Sequence, residues 1–115
     1  MRNINRRVIN GKEHVMSVEI NTSGKIATIN LSGNFDFSHQ DNLQQAFEQA
    51  MQSTPQQINI DFEAVTFIDS SIIRLLLKLH DTANHKQSTL TIMNCNEHIR
   101  EIFVIGGFDK IFKIN

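Results

Sequence analysis

Only one cysteine, Cys95, and one proline, Pro55, occur in the 115 residues. A lone cysteine excludes an internal disulfide and fits a reducing compartment, so a cytoplasmic protein is expected. Cys95 has no second cysteine at ligand spacing, and its place in an apolar segment suits a small buried residue better than a nucleophile. The five histidines, His14, His39, His80, His85 and His98, include no i, i+4 pair to turn two imidazoles toward one metal, so no metal site is expected. Five glycines form no glycine-rich loop ahead of a helix, which argues against a bound nucleotide cofactor. The apolar run Leu75–Leu77, with Ile72 and Ile73 nearby, is broken by Arg74 and Lys78, far short of the ~20 residues of a membrane-spanning helix. No apolar run follows the early arginines, so no secretory signal is read there. With a net charge of −1, no overall field steers the chain to nucleic acid or an anionic membrane.

What is present fits one small α/β domain. Hydrophobic residues at 40% and charged residues at 20% suffice to cover one sheet and a helical layer. Residues 1–14 set Arg2, Arg6, Arg7 and Lys12 against Glu13, a basic leader expected to be a flexible terminus or an edge strand. From His14 to Asn21, Met16, Val18 and Ile20 alternate with polar residues, the period of a half-exposed strand. Thr22-Ser23-Gly24-Lys25 has turn chemistry, Ile26–Leu31 reads as the returning strand, and Ser32-Gly33-Asn34 is expected to end it.

Ser38 and Asp41 resemble a helix-starting box. Leu43, Ala46, Phe47, Ala50 and Met51 then recur on one helical face, and Pro55 closes the segment. Ile58, Ile60 and Phe62, continued by Val65, Phe67 and Ile68, predict a central strand ending at Asp69. Asp69-Ser70-Ser71 opens a second helix whose core face is Ile72, Leu75, Leu76, Leu79 and Ala83. Thr89–Cys95 predicts another strand. Asn96 caps a third helix with Ile99, Ile102 and Phe103 inward, Gly106-Gly107 ends it, and Ile111–Ile114 is a last short strand. The predicted order is β-β-α-β-α-β-α-β, a mixed sheet in an α/β layer.

Asp69-Ser70-Ser71 is the place where chemistry is expected. One short polar side chain suffices for a cap, yet two hydroxyls follow the aspartate. With Asp69 or Ser70 as the cap, Ser71 lies in the first turn, where unpaired amides and the helix dipole favour a phosphate. A Ser71–His80 hydrolase pair is excluded, because nine residues along one helix separate the two groups by about 13 Å.

The stretch Val65-Thr66-Phe67-Ile68-Asp69-Ser70-Ser71 resembles the signature of STAS domains of the anti-sigma factor antagonist type, in which a strand ends in Asp-Ser-Ser or Asp-Ser-Thr at a helix start. Gly33-Asn34-Phe35-Asp36 is similar to that family's Gly-x-Leu-Asp loop. Ile105-Gly106-Gly107-Phe108 and the segment from Asp109 to Ile114 are similar to its C-terminal region, so the resemblance runs from about Val15 to Ile114. It implies helices packed mainly on one side of the sheet, residues 15–115 as the domain, and no enzymatic activity. It also implies a protein that binds an anti-sigma factor or a histidine-kinase-like serine kinase and is released on phosphorylation of Ser71. A serine phosphatase restores it, and no cofactor is required.

Asp36, Asp69 and Ser70 would lie beside the acceptor. Ile72-Ile73-Arg74 stands where the family carries Gly-Leu-Gly. Arg74 is placed to pair with a phosphate or simply to face solvent, and Ile73 and Leu77, off the core stripe, either broaden burial beneath a loop or, the preferred reading, form an apolar docking patch. An alternative is a cytoplasmic STAS subunit of a lipid ABC transporter, packed on its ATPase without phosphorylation.

Overall fold

A computed structural model describes residues 3–8 and 17–115. Six strands form one sheet in sequential order: β1 Asn3–Val8, β2 Ser17–Ser23, β3 Ile26–Phe35, β4 Gln57–Ile68, β5 Thr89–Met93 and β6 Lys113–Ile114. Three helices, α1 Gln40–Met51, α2 Ser70–His85 and α3 Glu97–Ile105, alternate with the later strands. Short 3-10 turns at Phe37–His39 and Phe108–Lys110 precede α1 and β6. The predicted order therefore runs from Ser17 to Ile114. Within the basic leader, read from sequence as a flexible terminus or an edge strand, Asn3–Val8 forms the edge strand β1, paired antiparallel to β2. The start of the predicted first strand, from His14 to Met16, lies outside the described residues.

The sequence dictates most of these elements locally. Gly24 adopts φ 60, the positive value that a tight two-residue hairpin requires of its first loop residue, and so joins β2 to β3. From β3 onward the pairing is parallel. Each parallel connection needs a crossover, and here a helix supplies it. Because each new strand is added on the same side of the last, crossovers of one hand carry every helix to the same face. That face holds the core. Ala27, Ile29 and Leu31 of β3 meet Ile58, Ile60 and Phe62 of β4, all buried. Leu43, Phe47 and Ala50 of α1 and Ile72, Leu76 and Leu79 of α2 complete it. Under α3, Phe103 packs edge-on against Phe62 and Phe112, with centroids 6.3 and 6.0 Å apart.

Three local expectations are corrected. Gly33 does not end β3. It takes φ 95 at a register shift in the pairing with β4, and the strand continues to a buried Phe35. Ser38 does not cap α1. Asp36, two residues earlier, caps the 3-10 turn that feeds the helix, and Ser38 is its donor. The last strand begins at Lys113 and not at Ile111, since Phe108–Lys110 is still helical.

Candidate functional site

The parallel strands β3 and β4 are neighbours, so the loops leaving their C-terminal ends meet. One loop carries Asp36-Phe37-Ser38 into α1, and the other carries Asp69-Ser70-Ser71 into α2. The two share a motif and a geometry. Asp36 Oδ1 accepts the Ser38 amide at 3.0 Å and the Ser38 hydroxyl at 2.5 Å. Asp69 Oδ1 accepts the Ser71 amide at 3.0 Å, the Ser71 hydroxyl at 2.5 Å and the Ile72 amide at 3.2 Å. A short acidic side chain with extended backbone, just ahead of a helix, naturally captures first-turn donors in this way.

Asp69 also reaches across. Its second oxygen, Oδ2, accepts the Phe37 amide at 3.0 Å, so one carboxylate ties the two loops together. Lower in the pair, the Thr66 hydroxyl donates to Asn34 Oδ1 at 2.5 Å. His39 Nδ1 stands 3.2 Å from Asp36 Oδ1, and the His39 ring rests 5.8 Å from that of Phe35.

Both carboxyls are held below the usual range. For Asp36 the hydrogen bond from the Ser38 hydroxyl is the main cause. For Asp69 the largest influence is desolvation, which opposes ionisation, but the Ser71 hydroxyl and the amides of Ile72, Phe37 and Ser71 together outweigh it. Both are therefore carboxylates at neutral pH.

The structure brings together Asp36, Asp69, Ser70 and Ser71 as expected, but it changes what surrounds Ser71. The first-turn amides of Ser71 and Ile72, expected to be unpaired and ready for a phosphate, are already bonded to Asp69. Ser71 is only 9% exposed, with its hydroxyl turned to Asp69, whereas Ser70 is exposed. The expected apolar patch of Ile73 and Leu77 is also corrected. Ile73 is 9% exposed and belongs to the core cluster, and Leu77 is half-buried against it. The buried face of α2 therefore holds Ser71 and Ile73 as well as the five residues its periodicity predicted. Arg74 is exposed on the same helix.

Exposed apolar surface at this end comes instead from Phe37, at 70%, which the sequence reading passed over, and from Phe67, at 48%, which it read only as part of the central strand. A signal existed: an aromatic residue sits inside a polar helix start that needed only a cap. Among the described residues no group of three His, Cys, Asp or Glu side chains is placed to hold a metal ion. No helix among them is long and apolar enough to cross a membrane.

The STAS domain family model matches residues 17–115. A STAS-domain containing protein of Pseudomonas aeruginosa is 33% identical over 92 residues, covering 80% of this chain and 90% of that protein. Among solved structures, an anti-sigma factor antagonist from Mycobacterium paratuberculosis superposes with a TM-score of 0.78 at 18% identity, over 90% of this chain and 87% of that one. The Bacillus cell fate determinant SpoIIAA in its phosphorylated form gives 0.67 at 19% identity, over 85% and 90%. A sulfate transporter family protein from Wolinella succinogenes gives 0.69 at 16% identity, over 78% and 73%. These structural likenesses concern the fold. With its signature loop at the junction of β4 and α2 and its residues 17–115 matched throughout, the chain belongs to the STAS domain family.

Proposed function

We propose that this STAS domain is a phosphorylation-controlled protein-binding module of the anti-sigma factor antagonist type, with Ser71 as the acceptor. Unphosphorylated, it binds an anti-sigma factor or a histidine-kinase-like serine kinase; phosphorylation at Ser71 ends the contact, and a serine phosphatase restores it. The observation that carries the reading is the bond from Ser71 Oγ to Asp69 Oδ1, because the same carboxylate holds the neighbouring loop through Phe37. Phosphorylation removes that hydroxyl donor and sets a second anion against Asp69. The phosphate then competes for the amides of Ser71 and Ile72.

A phosphoserine brings about −1.5 to −2 charges at neutral pH. Burying such charge unpaired costs several kcal/mol, against roughly 8 kcal/mol for a micromolar complex, so one modification can empty the interface. Ser71 is shielded, so a kinase must first rotate its hydroxyl away from Asp69. That costs about the 1.5–3 kcal/mol of a hydrogen bond to a charged group, which a docked enzyme can supply. Arg74, three residues on and exposed, is the cation placed nearest in sequence to meet the phosphate.

Incubation with the candidate kinase and ATP, followed by peptide mass spectrometry, tests the acceptor: phosphate is expected on Ser71 and lost in Ser71→Ala. Binding of Ser71→Ala and Ser71→Asp to the same kinase tests the switch. Equal affinities for the two variants would reject it.

A further inference from the structure

We propose that Phe37 and Phe67 are the apolar anchors of a protein-docking surface around Asp36 and Asp69, and that its occupant is a partner protein presenting an apolar recess rimmed by arginine or lysine side chains. The inference rests on the binding-module reading and adds to it where, and by what chemistry, the partner is gripped.

Six large apolar residues are exposed among the described residues: Ile26, Phe37, Phe67, Val104, Ile105 and Ile111. Scattered exposed aliphatic residues are ordinary on a protein surface. The two aromatic ones, however, both stand at the end of the β3–β4 pair, on either side of the signature aspartate. Phe67 lies two residues before Asp69, and the Phe37 amide donates to Asp69 Oδ2. Aromatic residues carry much of the affinity of protein interfaces, and they do so best when their backbone is fixed beforehand. Both conditions hold here. Phe67 is held in strand register opposite Asn34, and Phe37 is tied down by Asp69.

Charge selects the partner. Asp36 immediately precedes Phe37, Asp69 follows Phe67 by two residues, and the Asp36 side chain remains 42% exposed although it caps a helix. An apolar recess alone would leave these carboxylates facing a desolvated interface, so the surface fits a recess whose rim is cationic. The tie between Phe37 and Asp69 also makes the anchor sensitive to Ser71. A phosphate competing for the first-turn amides loosens the carboxylate that positions Phe37, so the docking surface is lost as well as repelled.

The experiment places the photo-crosslinking residue p-benzoylphenylalanine at Phe37, Phe67 or Ile105 of the full chain, expressed in its native cells. Adducts are identified by mass spectrometry. The expected result is one shared adduct at positions 37 and 67, to a protein whose contact surface is apolar with basic residues around it. Yield at position 105 is expected to be at least tenfold lower. Asp36→Asn should lower the yield at position 37 several-fold, and Ser71→Asp should abolish it. Absence of adducts at 37 and 67, yields at 105 equal to theirs, crosslinking to a second copy of this chain, or an acidic contact surface would each overturn the proposal. Adducts at 37 and 67 that persist unchanged in Ser71→Asp would keep the docking surface and remove the switch, so the two failures are distinguishable.

Discussion

Replacing Asp69 by alanine tests the junction most directly. Its Oδ1 accepts the amides of Ser71 and Ile72 and the Ser71 hydroxyl, and its Oδ2 accepts the Phe37 amide. Loss of an aspartate cap costs typically ~1 kcal/mol, within a range of about 0.5–2. The Phe37 bond adds less than the full 1.5–3 kcal/mol of a bond to a charged acceptor, because Phe37 is exposed and water replaces the lost partner. The expected total for Asp69→Ala is about 2 kcal/mol. For a domain of this size it lowers Tm by roughly 6–12 °C. Asp69→Asn keeps a carbonyl oxygen for the helix amides but turns an NH2 group toward the Phe37 amide, so about 1 kcal/mol is expected. The assay is urea unfolding followed by circular dichroism, with Ser71→Ala added to close a double-mutant cycle. An Asp69→Ala midpoint within 0.5 kcal/mol of wild type would show that the carboxylate ties nothing together, and would refute the coupling on which the switch depends.

Further outcomes follow from the same structure. Because the Asp69 pKa lies below its ordinary 3.8, its contribution is complete above that value and is lost as the pH falls below it; an acid unfolding curve of Asp69→Asn should be flatter there than that of wild type. Phe103, fully buried between Phe62 and Phe112, should cost about 3–5 kcal/mol on conversion to alanine, read by the same urea unfolding. Burial pushes the Cys95 thiol upward, so at pH 7.5 it should react with iodoacetamide well below the rate of glutathione, and a glutathione-like rate would contradict its packing against the core.

The fold was largely legible because its signals are local and periodic. Alternation placed β2, β3 and β4, and the stripe Ile72, Leu75, Leu76, Leu79 and Ala83 is buried on α2 as its spacing predicts. Asn96 caps α3 through the Ile99 amide, as its side chain predicts. The failures share one cause, dependence on a neighbouring strand or loop. Gly33 reads as a strand end until its register with β4 makes it a bulge. Ile73 reads as surface by its helical spacing, yet the packed core covers it.

The sequence by itself determined that this chain is a small α/β domain and that Asp69-Ser70-Ser71 opens a helix on a short polar cap, since period and capping chemistry involve only residues a few positions apart. Tertiary structure alone decided that Ser71 is shielded, that Asp69 also holds Phe37, 32 residues earlier in the chain, and that Phe37 and Phe67 are left exposed. Those relations arise from the parallel pairing of β3 with β4, which brings two distant loops together, and no pattern within either segment encodes it.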